Sequence, residues 1–97
     1  MPMYIALLNY TEHGIKDVKN APNRVAAARR GIEAAGGKMH AFYLTMGQYD
    51  AVTINEAPSD EAAAAVALAI GAEGNVRTTT MRAFTEKEMA AIIGGLP

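Results

Sequence analysis

Met3 to Tyr10 is a short apolar run that stops at the polar cluster Thr11-Glu12-His13-Gly14, a length that suits a strand. From Asn20 the period changes. Val25, Ala28, Ile32 and Ala35 recur at steps of three or four, with Arg24, Arg30 and Glu33 on the other faces. This predicts an amphipathic helix closed by Gly36-Gly37. Asn20 or Asn23 is placed to cap it, and Pro22 falls in its first turn, where amides lack helical partners anyway. Lys38 to Met46 and Asp50 to Ala57 both alternate: Phe42 and Leu44 with Tyr43 and Thr45, then Val52 and Ile54 with Thr53 and Asn55. Two strands joined through Gly47-Gln48-Tyr49 make a hairpin. Pro58-Ser59-Asp60-Glu61 ends the second strand and opens a helix running to about Ile70, with Ser59 or Asp60 as cap and the acidic pair at the positive end of the helix dipole. Asn75 to Phe84 is threonine-rich and predicts a fourth strand. Thr85-Glu86-Lys87-Glu88 is a capping box for a short last helix carrying Met89, Ile92 and Ile93.

The order is strand, helix, strand, strand, helix, strand, then a C-terminal helix. That is the α+β, ferredoxin-like βαββαβ arrangement, with a four-stranded antiparallel sheet in one domain over residues 1–97. Right-handed crossovers put both main helices on one face of the sheet and leave the other open. Taking Phe42, Leu44, Val52 and Ile54 as the helix-covered set, the period of two sends Tyr43, Thr45, Ala51, Thr53, Asn55 and Asn9 to the open face. A face of that mixed character suits packing of two sheets against each other. Homodimerisation, or a higher oligomer, is the expectation.

Composition sharpens this in three places. The apolar fraction is 51% and the charged fraction 20%, a globular balance, but twenty of the apolar residues are alanine, so the core is thin. Nine Lys plus Arg against ten Asp plus Glu give a net charge of −1, which removes the basic signature of a nucleic-acid binder. There is no cysteine, and no apolar run approaches the ~18 residues of a membrane span, so a cytoplasmic, soluble protein without disulfides or thiolate metal sites is expected.

At Gly47-Gln48-Tyr49-Asp50 the chain resembles the GYD-domain family, named for its Gly-x-Tyr-Asp hairpin. Tyr43-Leu44-Thr45-Met46-Gly47, Glu56-Ala57-Pro58, Gly74-Asn75-Val76-Arg77-Thr78 and Arg82-Ala83-Phe84 match as well, as do Met3-Tyr4-Ile5, Asn9-Tyr10-Thr11 and Asn23-Arg24-Val25. The resemblance covers nearly the whole chain. It implies a fold of the dimeric α/β-barrel type and brings no catalytic residues with it.

The residues themselves offer limited chemistry. Gly47 suits a turn position of positive φ, and Asp50 suits acceptance of turn amides; at the hairpin tip Tyr49 and Asp50 would act as donor and acceptor toward a ligand or subunit. His13 and His40 lack HxH, HxxxH or HExxH partners, so neither a metal nor another cofactor is expected. His40 and Asp50 are the candidate bases. Arg77 and Arg82, five apart on one strand, face opposite ways, one toward the open side as an anion holder and the other toward Glu56 or a helix carboxylate. With Asn9, Tyr43, Tyr49 and Asn55 they form the candidate ligand-binding set. The leading expectation is a homo-oligomeric ligand-binding or structural module with a cavity between paired sheets. One alternative is a cofactor-independent monooxygenase or isomerase acting on a small aromatic or enolisable compound, by analogy of fold. The other is a regulatory partner subunit that docks through the terminal helix.

Overall fold

The computed structural model describes residues 1–97. Strands β1 (Met3–Tyr10), β2 (Lys38–Leu44), β3 (Ala51–Glu56) and β4 (Val76–Ala83) form one sheet in the order β2-β3-β1-β4. Every adjacent pair is antiparallel. Helix α2 (Ala21–Ala34) joins β1 to β2, α3 (Asp60–Ala72) joins β3 to β4, and α4 (Glu86–Gly94) follows. This is the ferredoxin-like order, and it follows from caps and period changes in the chain. The Ser59 side chain accepts from Ala62 N at 3.1 Å to start α3. Thr85 and Glu88 close a reciprocal capping box at the start of α4. Asn20 occupies the position before α2, but its side chain accepts from Asn23 Nδ2 rather than from a helix amide.

Two elements have no counterpart in the hydrophobic pattern. Helix α1 (Glu12–Lys16) and a 3-10 turn over Val18–Asn20 occupy the segment that reads as a polar cluster. Thr11 caps α1 by accepting from Gly14 N at 3.0 Å. Thr11 also binds the turn before β4, through its N–H to Asn75 O at 3.1 Å and its hydroxyl to Gly74 O at 2.5 Å. A five-residue helix is too short to carry a periodic signal and is defined by these tertiary bonds.

The register assigns the two faces, and here the expectation for β3 is corrected. Tyr4 pairs with Asn55, Ala6 with Thr53 and Leu8 with Ala51. On the other side of β3, Phe42 pairs with Thr53 and Leu44 with Ala51. Tyr4, Ala6, Ala51 and Thr53 are buried. Thus Ala51, Thr53 and Asn55 lie under the helices, while Val52 and Ile54 lie on the open face with Ile5 and Leu7. Phe42, Leu44, Tyr43 and Asn9 take the faces expected of them, and Thr45 lies beyond the end of β2. The inversion arises because cross-strand partners share a face. Phe42 opposes Thr53, so it cannot share a side with Val52.

The helix layer is thinly filled. Ile32 is the sole buried residue of α2, and α3 has none. The accessible surface is 6478 Å², against about 5300 Å² for a folded monomer of this mass. The radius of gyration, 14.6 Å, likewise exceeds the roughly 12.5 Å expected of a compact 97-residue chain. Surplus surface of roughly 1200 Å² is more than one protomer contributes to a standard interface, about 800 Å².

Candidate functional site

The Gly-x-Tyr-Asp hairpin is a fastening. Gly47 holds φ at +110°, a conformation that side chains disfavour. Asp50 Oδ2 accepts from Tyr10 N at 2.8 Å, and Asp50 N donates to Leu8 O at 2.8 Å. Across the turn, Thr45 N donates to Asp50 O at 2.8 Å and the Thr45 hydroxyl donates to Tyr49 O at 2.5 Å. The Asp50 carboxylate therefore serves the end of β1 rather than the turn's own amides. Removing an acceptor from a backbone N–H of this kind costs about 2 kcal/mol. Asp50→Ala is expected to lower the thermal midpoint by roughly 10 °C, and Asp50→Asn, which keeps a carbonyl acceptor, by less than half of that. Circular dichroism melts of the two variants check this.

Of the sequence-derived candidates, only Asp50 and Asn55 line a common cavity, the one between the helices and the sheet. Arg77 lies on the open face opposite Asn9 in the register, at the β4 edge. Tyr43 lies on the same face at the β2 edge, so the sheet's width, roughly 14 Å, separates it from Arg77. His40 sits at the irregularity between Met39 and Ala41, and its Nε2 is 2.9 Å from Glu56 Oε1. Asn55 and Arg82 are on the helix side. The candidate bases His40 and Asp50 and the two arginines thus occupy separate parts of the molecule. No group of three or more His, Cys, Asp and Glu side chains is arranged to hold a metal. No helix is long and apolar enough to cross a membrane.

Three surfaces remain as functional ground. The first is the open sheet face, whose centre is Ile5, Leu7, Val52 and Ile54, with Met81 and Tyr43 toward the edges. It is more apolar than the mixed face the sequence suggested.

The second surface is a cavity of about 240 Å³ on the opposite side of the same sheet, between α2, α3 and the strands. Its walls are small residues: Ala28 and Gly31 from α2, Ala35 just after it, and Ala62, Ala63 and Ala67 from α3. Alanine is helix-favouring but leaves the volume beneath it unfilled. Tyr4, Thr53 and Asn55 supply polar groups to the sheet wall. Tyr4, 5% exposed, donates its hydroxyl to Asp60. Burial and then that carboxylate push the phenol above its ordinary pKa. Asn55 Nδ2 donates to Thr53 Oγ1 at 2.9 Å, whereas Asn55 Oδ1 is buried without a partner.

The third surface is α4. No residue of it is buried. Arg82 ties it down, with Nη2 3.7 Å from Glu88 and the guanidinium 4.4 Å from the Phe84 ring centroid and 5.8 Å from that of Tyr4. Arg82 is the arginine paired to a helix carboxylate. The Thr85 N–H chiefly, and then the Thr85 hydroxyl and Arg82, outweigh partial desolvation and hold the Glu88 carboxyl below its ordinary pKa. Because the folded value is depressed, this contribution to α4 is present above the unfolded carboxylate pKa and is lost as pH falls through the folded one.

The alanine runs Ala26–Ala28 and Ala62–Ala65 were the sequence signal for the cavity. They mark helices that approach a sheet without filling the space beneath.

Known proteins align with this chain over nearly its full length. A curated relative from Thermus thermophilus, the "Glutamine synthetase and cystathionine beta-lyase binding protein", is 28% identical over 92 residues, spanning 94% of this chain and 97% of that one. Among solved structures, TTHA0845 from Thermus thermophilus superposes with a TM-score of 0.56 at 24% identity, covering 88% of this chain and 95% of that one. The Mycobacterium tuberculosis leucine response regulatory protein superposes with a TM-score of 0.57 at 15% identity over 87% of this chain. The chain spans 51% of that regulator's length. These two likenesses establish the fold. The family model described as "GYD domain" matches residues 4–93, and the chain belongs to the GYD domain family.

Proposed function

We propose that this chain is a homodimeric binding module that docks on a metabolic enzyme. The open sheet face joins two copies, and α4 carries the partner-binding surface. The observation that carries the docking assignment is the apolar stripe Met89, Ile92, Ile93 and Leu96, exposed by 51, 52, 54 and 64%. Met89, Ile92 and Ile93 are spaced i, i+3 and i+4 on α4, as in an amphipathic helix laid into an apolar groove, and Leu96 follows just beyond the helix end. The Thermus relative's name, a binding protein for glutamine synthetase and cystathionine β-lyase, supports the same reading and supplies the partners to try first.

Deletion of residues 86–97 is expected to abolish binding to purified glutamine synthetase or cystathionine β-lyase from the same organism while leaving the dimer intact. The pair Ile92→Ala and Ile93→Ala should weaken binding at least tenfold, since central apolar anchors typically carry more than 1 kcal/mol each. Surface plasmon resonance gives the affinities and light scattering the oligomeric state. Unchanged binding by the deletion variant would remove α4 from the interface.

A further inference from the structure

We infer that each protomer carries a small-molecule site between its helices and its sheet, accepting a compact, largely apolar ligand that bears one hydrogen-bond donor. The inference stands on the cavity and does not depend on whether α4 docks on an enzyme.

The volume sets the size. At about 240 Å³ the cavity exceeds a 150 Å³ apolar cavity that takes up benzene. A substituted single ring or a small fused bicycle is of the right order. The lining sets the character: most of it is hydrocarbon, Ala28, Ile32, Ala63 and Val66 included, and three of its four charged residues are engaged, Arg24 with Asp17 at 3.3 Å, Asp50 with the Tyr10 amide and Glu56 with His40. A neutral ligand is favoured, because an anion would meet three carboxylates against one arginine already paired, and a cation would find only the exposed Glu73 unengaged.

Asn55 sets the polar preference. Its Nδ2 is committed to Thr53, and its Oδ1 is buried and unpartnered, an acceptor whose isolation is costly. Asn55 belongs to the sheet wall of the cavity, so this acceptor adjoins the space a ligand would fill. A hydroxyl or N–H on the ligand then relieves the unmet acceptor, which a hydrocarbon of the same shape does not. This location differs from a cavity between paired sheets, because it lies under α2 and α3, on the opposite side of the sheet from the open face.

Indole and indene, matched in shape with and without an N–H, are the probes. Two-dimensional amide NMR of the isotopically labelled full-length protein should show saturable binding of one indole per protomer. The shifts should concentrate at Ala28, Ile32, Thr53, Asn55, Ala63 and Val66. Indene should bind about fivefold more weakly, the worth of one net hydrogen bond. Asn55→Leu should bring the two probes to equal affinity. Ala28→Met and Ala63→Met fill the cavity from opposite helices, and any one that keeps the native amide spectrum should lose indole. Absence of saturation, shifts confined to the open face or α4, or retention of indole by both filled variants would overturn the site. Equal affinity of the unaltered protein for the two probes would overturn the donor requirement.

Discussion

Lysine in place of Ile54 is expected to convert the proposed dimer to a monomer of 10.2 kDa with its secondary structure intact. Ile54 lies in a central strand, directly opposite Ile5 on one side and Ala41 on the other. A charge placed there faces solvent in the single protomer and costs that protomer little. In the paired state the same ammonium is buried against apolar side chains with no partner, a penalty of several kcal/mol. The dissociation constant should rise at least about 100-fold, since each 1.4 kcal/mol is a factor of ten. Leu68→Lys is the control, because Leu68 is an exposed residue of α3 on the other side of the molecule and its change should leave assembly alone. Sedimentation or light scattering over a concentration series separates the two outcomes. An Ile54→Lys protein that stays dimeric would take the open sheet face out of the self-association.

The second large effect concerns Gly14→Ala. A Cβ at Gly14 would stand 1.9 Å from Asn75 O and 2.8 Å from Asn75 C. Both are backbone atoms, and they cannot swing aside as the end of a side chain would. Asn75 O is also the acceptor for Thr11 N, so moving it breaks the bond that seats α1 against the start of β4. The loss should be about 3 kcal/mol or more, among the large effects seen for single substitutions, with a fall of roughly 15 °C or more in the melting midpoint. Gly71→Ala in α3 supplies the contrast. Nothing lies within 4 Å of the added methyl, and the helical backbone suits alanine. That variant should gain roughly 0.5–1 kcal/mol. A calorimetric comparison in which both variants melted together would rule out the close approach at Gly14.

Element order was legible in the chain because it rests on local signals: the change of period at Asn20, the caps at Ser59 and Thr85, and the hairpin glycine. Facing was less so. Val52 and Ile54 look like core by hydrophobicity, yet they belong to a surface whose proposed cover is another copy of the chain. Thr53 and Asn55 look like surface, yet they bond to each other under the helices. Hydrophobicity reports that a residue is to be covered without saying by what. Only the register, set by the six residues between Leu44 and Ala51, decides the side.

The candidate site was less legible for a related reason. Individual polar residues such as Tyr43, Arg77 and Asn55 were visible, but opposite faces and opposite edges of a sheet cannot be told apart by residue type. The cavity is made by what the alanines lack. Its lining combines Tyr4, Ala28, Thr53 and Ala63 from four separate elements. The apolar stripe of α4 was the surface feature most directly readable, since Met89, Ile92 and Ile93 already follow helical spacing in the sequence.

Native mass spectrometry of the purified chain, alone and mixed with glutamine synthetase or cystathionine β-lyase, is the decisive measurement. A homodimeric docking module gives a species of twice 10.2 kDa for the chain alone, and enzyme complexes that contain an even number of copies. A monomer alone, or no complex with either enzyme at concentrations where the dimer is fully formed, would contradict it.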